Sequence, residues 1–394
     1  MPLALILVDA LSAAYVSRAL FSTICDLTAG GFAGPLANLY AYRGIEATLF
    51  TGRFPADHGI WGEFRPAPPK LERWPDRLAR LAIETGDRLP FDRLRLDVRY
   101  AVARVRHSDR LLPTGNLIPA DLMPRFIGSV EQPIWETGSL GEIRTLFDEL
   151  RATHMSFAIV SHPIIHHDHQ IEPYVRALLA RGVLPNFWYI KFSALDALGH
   201  FLGPSVTKLA PALRTLNGQL AALITTLKSA YPNGGIDIVI LSDHGMSWVK
   251  SRIDIRPFLK QVQGDFLYFL DSTTLRFWST DPHLCATLKA QFASVSGLQI
   301  LDLEARHSLQ IPDDISTGDV LIALEEGKVI FPDFFRRESP PLGMHGYASV
   351  ETEAGLPFLA VDSEIAACLP DRRPLTHADV WSAMRQRLGL GQPA

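Results

Sequence analysis

Six residues of the 394-residue sequence have side chains that bind metal ions and stand where ligands are often held. Three carboxylates and three imidazoles suit two divalent ions, with zinc the first expectation and manganese the second. Such a pair of ions would support metal-assisted hydrolysis. The candidates are Asp9, Asp196, His200, Asp243, His244 and His345.

The positions of these candidates along the chain indicate how they could meet. Asp9 follows the apolar run 3–8, and Asp243 and His244 follow the apolar run 235–241. Asp196 and His200 are four positions apart and would share one side of a helix. His345 stands in a glycine-flanked loop. An Asp-His pair after a strand can also be no more than a turn or helix cap, so only the set as a whole predicts a metal site.

The elements that must carry these residues alternate between strands and helices. Nearly every residue is apolar in the runs 3–8, 187–192, 235–241 and 358–361, which is typical of strands buried on both faces. Leucines at helical spacing from 209 to 227, and a second helical segment from 376 to 388, complete the pattern. The expected fold is α/β, with a mostly parallel sheet flanked by helices on both faces. Ligands of such sheets bind beyond the carboxyl ends of the strands.

A change of composition from residue 63 to 181 predicts an inserted cap, with the metal-binding core at 1–62 and 182–394. The insertion is rich in proline and then in arginine between 93 and 110, where an amphipathic helix is expected. The arginines could form a solvated face or a peripheral docking surface for phosphate-rich substrate or acidic lipid. Four histidines around Asp168 (His162, His166, His167 and His169) could be structural or could contact substrate.

Composition excludes several classes of protein. A formal net charge of -4 offers no global attraction to nucleic acid. The three cysteines lie far apart without CxxC spacing, so neither disulfides nor a thiolate metal site is expected. The N-terminus lacks a basic region, and no apolar run reaches the roughly 18 residues of a transmembrane helix. These features predict a cytoplasmic protein, with no indication of its oligomeric state.

The order of the motifs resembles the alkaline phosphatase superfamily, in particular its type I phosphodiesterase/nucleotide pyrophosphatase branch. An early strand ends in Asp9, and residues 51–60 match a Thr-Gly-x-x-Pro-x-x-His-Gly-Ile segment. An aspartate with a histidine four residues later, an Asp-His-Gly-Met and a late Gly-x-His-Gly-Tyr follow in order along the chain. The resemblance implies the alkaline phosphatase-like fold and a small phosphorylated substrate such as a nucleotide, sugar nucleotide or phosphoester. It also implies that Asp196, His200 and His345 hold one ion, while Asp9, Asp243 and His244 hold the other.

The sequence departs from the family at the nucleophile. Relatives carry a serine or threonine about nine residues before the Thr-Gly, and here that position is Tyr42, followed by Arg43. Three interpretations are open. Tyr42 could attack through its phenolate, or a metal-bound hydroxide could attack while Arg43 clamps the phosphoryl group. The third interpretation is that the motif is locally misaligned, or that the site has another chemistry or none.

Two hypotheses of function follow from the resemblance. The first is a two-metal hydrolase or transferase acting on a phosphodiester, pyrophosphate or phosphomonoester bond. The second is a noncatalytic metalloprotein that binds a phosphorylated ligand or partner on the same scaffold. The sulfatase branch is excluded because the Cys/Ser-x-Pro-x-Arg segment is missing.

Overall fold

A computed structural model of the chain describes residues 1–67, 74–86, 88, 97–99, 101–102, 117–130, 132–231 and 235–391. Most of the arginine-rich segment 93–110 and its predicted helix lie outside the described residues. The strands of the described residues are β1 (Leu3–Val8), β2 (Phe32–Pro35), β3 (Phe64–Pro66), β4 (Phe126–Gly128), β5 (Phe157–Val160), β6 (Phe187–Phe192), β7 (Asp237–Leu241), β8 (Ser247–Trp248), β9 (Ser251–Ile253), β10 (Leu267–Leu270), β11 (Thr274–Trp278), β12 (Leu298–Leu301), β13 (Val320–Leu324), β14 (Lys328–Ile330), β15 (Gly343–Met344) and β16 (Phe358–Val361). The α-helices are α1 (Ser22–Leu27), α2 (Arg43–Thr51), α3 (Pro55–His58), α4 (Trp74–Gly86), α5 (Leu146–Ala152), α6 (Ile171–Ala180), α7 (Ala194–Leu202), α8 (Val206–Ala230), α9 (Arg256–Leu259), α10 (Pro282–Ala293), α11 (Leu303–Ser308), α12 (Ser363–Ala366) and α13 (His377–Leu388).

The central sheet has six strands in the order β2-β16-β7-β1-β6-β5. β1 pairs in parallel with both β6 and β7, and β5 pairs in parallel with β6. Only β16 runs against its neighbours β7 and β2. The predicted α/β fold with a mostly parallel sheet is confirmed.

Strand β1 shows why the sheet is buried on both faces. Its residues alternate between two hydrophobic clusters, with Ala4, Ile6 and Val8 in one and the leucines at positions 3, 5 and 7 in the other. Every one of these side chains is at most 1% exposed. Full burial of a large apolar side chain contributes about 1.5–3 kcal/mol, so an all-apolar strand is favoured only in the middle of such a sheet.

Helices cover both faces of the sheet. On one face, α8 buries the predicted leucine stripe, which runs from Leu209 to Leu227. On the other face, α2 and α13 pack against each other and against the second cluster. α13 begins with a capping box in which the Thr376 hydroxyl accepts from the Asp379 N–H, and the Asp379 carboxylate accepts from the Thr376 N–H. None of the described helices has the length and apolar character needed to cross a membrane.

A second sheet is antiparallel, in the order β10-β11-β13-β12. Phe64 and Phe126 of the predicted cap pack into its hydrophobic cluster. The predicted cap boundary at residue 181 is wrong for β5, because Phe157–Val160 forms the edge of the central sheet. Its composition does not differ from that of other buried strands, and only the pairing with β6 assigns it to the core. The rest of the predicted division stays a prediction.

Candidate metal centre

The carboxyl ends of three adjacent strands bring the candidate ligands together. Asp9 follows β1, Asp243 lies two residues beyond β7, and α7, which carries Asp196 and His200, begins after β6. β1 lies between β6 and β7, so these positions meet at the carboxyl ends of the central strands. His345 follows β15, which pairs with β8 immediately after the Asp-His-Gly segment. The short β8-β15 pair therefore brings a distant loop to the same strand ends.

The six candidate residues form two groups. One contains Asp196, His200 and His345, and the other contains Asp9, Asp243 and His244. Within each group, one ligand atom from each residue lies within 4.8 Å of the other two. This is the division that the family resemblance implies.

In the first group both imidazoles face one carboxylate oxygen. Nε2 of His200 lies 3.4 Å and Nε2 of His345 lies 3.5 Å from Oδ1 of Asp196. Nδ1 of His200 lies 2.8 Å from the carbonyl oxygen of Gly343. Because a carbonyl only accepts, Nδ1 carries the proton, and Nε2 presents its lone pair to the group.

In the second group one imidazole faces the carboxylates of two aspartates. Nε2 of His244 lies 3.2 Å from Oδ1 of Asp9 and 3.9 Å from Oδ1 of Asp243. Its Nδ1 donates to the carbonyl oxygen of Gly245, 2.9 Å away. The rings of His244 and His345 stack with their centroids 3.6 Å apart, so the two groups adjoin.

Two buried oxygens test whether cations fit here. Oδ1 of Asp9 and Oδ1 of Asp196 are buried and accept no hydrogen bond of good geometry from the described residues, although Nε2 of His244 lies 3.2 Å from the first. Leaving a buried carboxylate oxygen without a partner is costly, and native proteins rarely do so. Each oxygen points into one of the two groups, so a divalent ion in each group would satisfy both. The residues present fit a pair of cations.

The pKa shifts in the centre reflect the negative charge of its buried carboxylates. Burial and the neighbouring carboxylate of Asp9 raise the pKa of Asp243 to about 6. Burial alone would lower the pKa of His244, but the carboxylates of Asp243 and Asp9 raise it to about 10. Burial and the charge of His244 hold the pKa of His345 well below its ordinary value, so that ring is neutral, as a metal ligand must be. Bound cations would take over the neutralising role of these protons.

The comparison with known families decides what this centre belongs to. A sequence model described as "Type I phosphodiesterase / nucleotide pyrophosphatase" matches residues 3–347. The chain belongs to this family. It is therefore a member of the alkaline phosphatase superfamily, whose phosphodiesterase branch acts on small phosphorylated substrates such as nucleotides and is generally metal-dependent.

Solved structures agree with this assignment at the level of fold. An inactive threonine-to-alanine variant of murine ectonucleotide pyrophosphatase/phosphodiesterase 5 in complex with AMP is 14% identical, with a TM-score of 0.69 over 100% of this chain and 96% of that chain. The human protein is also 14% identical, with a TM-score of 0.67 and the same coverage. A search of curated proteins found no match.

In this phosphodiesterase family member, Lys191 is a charged residue of the centre that the sequence interpretation missed. Its Nζ lies 3.3 Å from Oδ2 of Asp9 and 3.7 Å from Oδ2 of Asp243. Burial alone would lower the pKa of the ammonium, but the carboxylates of Asp9 and Asp243 raise it above its ordinary value. A single lysine in the otherwise apolar strand β6 was the available signal, because a buried charge requires a partner.

The histidine cluster contributes to the centre through its aspartate. Oδ1 and Oδ2 of Asp168 accept hydrogen bonds of 3.0 Å from the backbone N–H groups of Ser193 and Ala194. These groups start α7, so Asp168 caps the helix that carries Asp196 and His200. The surrounding histidines pair with one another, His162 with His166 and His167 with His169, and among the described residues they belong to neither metal group.

Tyr42, at the position where the resemblance places the nucleophile, stands at the N-cap of α2. Its phenol oxygen lies 2.6 Å from Oγ1 of Thr273, and that hydroxyl donates to the carbonyl oxygen of Gly346, also at 2.6 Å. Since the threonine proton is committed to the carbonyl, Tyr42 must be the donor to Thr273. Burial and the charge of Asp271 raise the pKa of Tyr42 well above its ordinary value. The side chain is a phenol at neutral pH, with its proton held by Thr273.

Arg43 begins helix α2 beside the centre. One terminal guanidinium nitrogen donates to Oε1 of Glu63 at 3.0 Å, while the side chain stays 35% exposed. The pKa of Arg43 is raised first by Glu63, and the carboxylate of Asp9 adds to the effect. The guanidinium is thus held near the Asp9 group with donors to spare for an incoming anion.

Proposed function

We propose that this protein hydrolyses a phosphodiester or pyrophosphate bond, or a phosphomonoester, in a small phosphorylated substrate, using two divalent ions. The observation that carries the proposal is the pairing of two three-residue groups with orphaned carboxylate oxygens, in a chain of the phosphodiesterase family. Zinc is the first expectation and manganese the second, since both accept imidazole and carboxylate ligands. Nucleotides and sugar nucleotides are the expected substrates. The cytoplasmic location stays a prediction.

The ligand set supports the chemistry that this bond requires. When bound, divalent ions here would neutralise phosphoryl oxygens and lower the pKa of water. Asp196, His200 and His345 would hold one ion, and Asp9, Asp243 and His244 the other. The hydrogen bonds from His200 to Gly343 and from His244 to Gly245 fix each ring with Nε2 towards its ion.

Arg43 would bind and orient the phosphoryl group. A guanidinium can donate two parallel hydrogen bonds to phosphoryl oxygens, and Glu63 holds this one in place by accepting one hydrogen bond at 3.0 Å. The N-terminal turn of α2 adds backbone N–H groups and a positive dipole end at the same location. Together these groups would fix the phosphorus for in-line attack.

Water is the proposed nucleophile, and Tyr42 is assigned a positioning role. A phenolate would require Tyr42 to lose a proton that its raised pKa and its bond to Thr273 both retain. Through Thr273, Tyr42 is linked to the carbonyl oxygen of Gly346, next to the ligand His345. The phenol thereby supports the loop that carries this ligand.

Release of nitrophenol from bis-p-nitrophenyl phosphate tests the proposal. Chelator-treated protein reloaded with zinc or manganese should turn over, and Asp243→Ala should abolish turnover and lower metal content. Lys228→Met, which removes an exposed charge on α8, is the matched control and should behave like the unaltered protein. Failure to turn over any member of a broad phosphoester and nucleotide panel would refute hydrolysis.

The presence of Tyr42 in place of a hydroxyl nucleophile favours one second candidate, a noncatalytic metalloprotein that binds a phosphorylated ligand. Metal uptake together with AMP binding, but without turnover on the same panel, would support this alternative. Loss of AMP binding in Arg43→Met would then place the ligand at the same site.

A further inference from the structure

Lys191 contacts the two carboxylates of the Asp9 group on one side only. Its Nζ is near Oδ2 of Asp9 and Oδ2 of Asp243, at 3.3 and 3.7 Å. The other oxygen of each carboxylate, Oδ1, faces Nε2 of His244, at 3.2 and 3.9 Å. Each aspartate therefore presents one oxygen to the lysine and the other to the point where a cation would be held, and Oδ1 of Asp243 also accepts the backbone N–H of His244 at 3.0 Å.

The strand register explains this division. Lys191 pairs with Leu7 of β1, and Leu7 pairs on its other side with Leu241 of β7. Asp9 and Asp243 each stand two residues beyond those partners, so the lysine side chain needs only to extend along the sheet to reach between them. Its side chain is 23% exposed, and those of Asp9 and Asp243 are 16% and 14% exposed.

The Asp196 group lacks such a contact. Among the described residues, the ion-pair partners of Asp196 are the two histidines of its own group. The charge of Arg336 also reaches this group, but its guanidinium is hydrogen-bonded to Oγ of Ser272 at 3.1 Å and to Sδ of Met344. The Asp9 group has two carboxylates and one imidazole, whereas the Asp196 group has one carboxylate and two imidazoles. Beyond this difference in ligands, a fixed ammonium already neutralises part of the charge of the Asp9 group.

We propose that Lys191 is a positioning residue that makes the two metal groups unequal in affinity. Without an ion, the ammonium of Lys191 holds Asp9 and Asp243 together and limits their mutual repulsion. With an ion bound, the ammonium repels the added positive charge and weakens its binding. The Asp196 group consequently loads first, and the Asp9 group holds the weaker, exchangeable ion. This inference rests on the proposed two-ion centre.

Coulomb's law gives the size of the effect. A divalent ion and an ammonium at about 6 Å repel each other enough to change affinity about tenfold, even at the dielectric constant of water. A partly buried site has a lower effective dielectric constant, which increases the effect. Removing the ammonium also leaves the two carboxylates unneutralised before binding, and this change acts in the same direction.

Zinc titration calorimetry on chelator-treated protein tests the inference without any substrate. The unaltered protein should bind two ions with dissociation constants at least about tenfold apart. Asp196→Asn should remove the tight class of sites. Lys191→Met should tighten the weak class at least about tenfold and leave the tight class in place.

Thermal unfolding of the same proteins supplies a second readout. Without metal, Lys191→Met should melt at a lower temperature than the unaltered protein. Added zinc should raise the melting temperature of the variant by more than it raises that of the unaltered protein. A merely structural role for the lysine would lower stability and weaken metal binding together. Lys191→Gln repeats the test if the methionine variant does not fold, and Lys228→Met controls for loss of a lysine.

Three results would contradict the inference. Equal affinities in the unaltered protein, or a weak class that is not tightened in both Lys191 variants, would overturn the role of Lys191 while leaving the metal centre standing. Uptake of no zinc at all would overturn the proposed function as well. Activity measurements are not needed to distinguish these outcomes.

Discussion

The phenol of Tyr42 donates a 2.6 Å hydrogen bond to Thr273, whose hydroxyl donates in turn to the backbone carbonyl of Gly346. Gly346 has a φ of +77°, and a Cβ there would meet the Tyr42 ring at 2.9 Å. The tyrosine thus packs tightly against the loop of the candidate ligand His345. The resemblance assigns this position to the nucleophile, but here the phenol is a hydrogen-bond donor within a chain of contacts that supports the loop.

Tyr42→Phe should retain most of the phosphodiesterase activity. The change removes the phenol but keeps the ring against the Gly346 loop, and the lost hydrogen bond should lower the free energy of unfolding by about 1 kcal/mol. Steady-state turnover of bis-p-nitrophenyl phosphate and urea unfolding measure the two effects. Thr273→Val removes both the acceptor of the Tyr42 bond and the donor to Gly346, so it should lower the free energy of unfolding by more. Complete loss of turnover in Tyr42→Phe with unchanged metal content would assign the attack to the phenol oxygen.

Arg43→Met should lower kcat/KM about 100-fold, because it removes a charge-assisted clamp on the phosphoryl group. Arg43→Lys should recover only part of this loss, since an ammonium cannot make the bidentate contact. Metal content should stay unchanged in both variants. The comparison is Glu63→Gln, which removes the 3.0 Å ion pair with Arg43 but keeps the guanidinium. This variant should lose less kcat/KM than Arg43→Met. Equal kinetics of Arg43→Met and the unaltered protein would exclude the clamp.

Asp168→Ala should destabilise the fold by about 1 kcal/mol and weaken metal binding in the Asp196 group, because Asp168 caps the helix that carries two of its ligands. Asp302→Ala is a matched control. Asp302 caps α11 by accepting from the N–H of Ala305 at 2.8 Å, so its loss should cost similar stability without affecting metal binding. Urea unfolding and zinc titration give the two readouts. Equal metal affinities in both variants would show that the cap serves stability alone.

Acid should destabilise the protein through two buried histidines. Burial lowers the pKa of His58 and of His377 from the ordinary 6.5 to about 4 in the fold. The unfolded chain therefore binds more protons between these values, so the full stability exists above about pH 6.5 and is lost as the pH falls to about 4. Each histidine can contribute up to about 3 kcal/mol to this loss.

Urea unfolding with chelator from pH 7.5 to 4 measures the acid effect as the difference between the unaltered protein and His377→Gln. The ring of His377 donates from Nε2 to the carbonyl oxygen of Ser242 at 3.0 Å, and glutamine keeps a donor there without a titrating charge. Between pH 7.5 and 4, the free energy of unfolding of His377→Gln should fall by less than that of the unaltered protein. His283→Gln, at an exposed histidine, should follow the unaltered protein. Parallel pH profiles for His377→Gln and the unaltered protein would contradict the assignment.

Much of the central sheet could be predicted from the sequence. A strand such as β1, apolar at every position, is stable only when both of its faces are covered, so its place inside a parallel sheet follows from composition. The six candidate metal ligands could also be named, because each stands just beyond a strand end, in a helix at i, i+4 spacing or between glycines. His58 of the matched motif was named as well, and in the fold it links the loop to α2 by accepting the N–H of Ile60 and donating to Thr48.

Contacts between distant segments could not be derived in this way. The edge position of β5 depends on its pairing with β6, and the contact of Lys191 with Asp9 and Asp243 depends on the register of three strands. The bond from Tyr42 to Thr273 joins residues 231 positions apart. By itself, the sequence determined which side chains could bind metal and which strands would be buried, because both depend on local composition and periodicity. Only the tertiary structure decided which oxygen faces the lysine and where the tyrosine proton goes, because both depend on atoms that folding alone brings together.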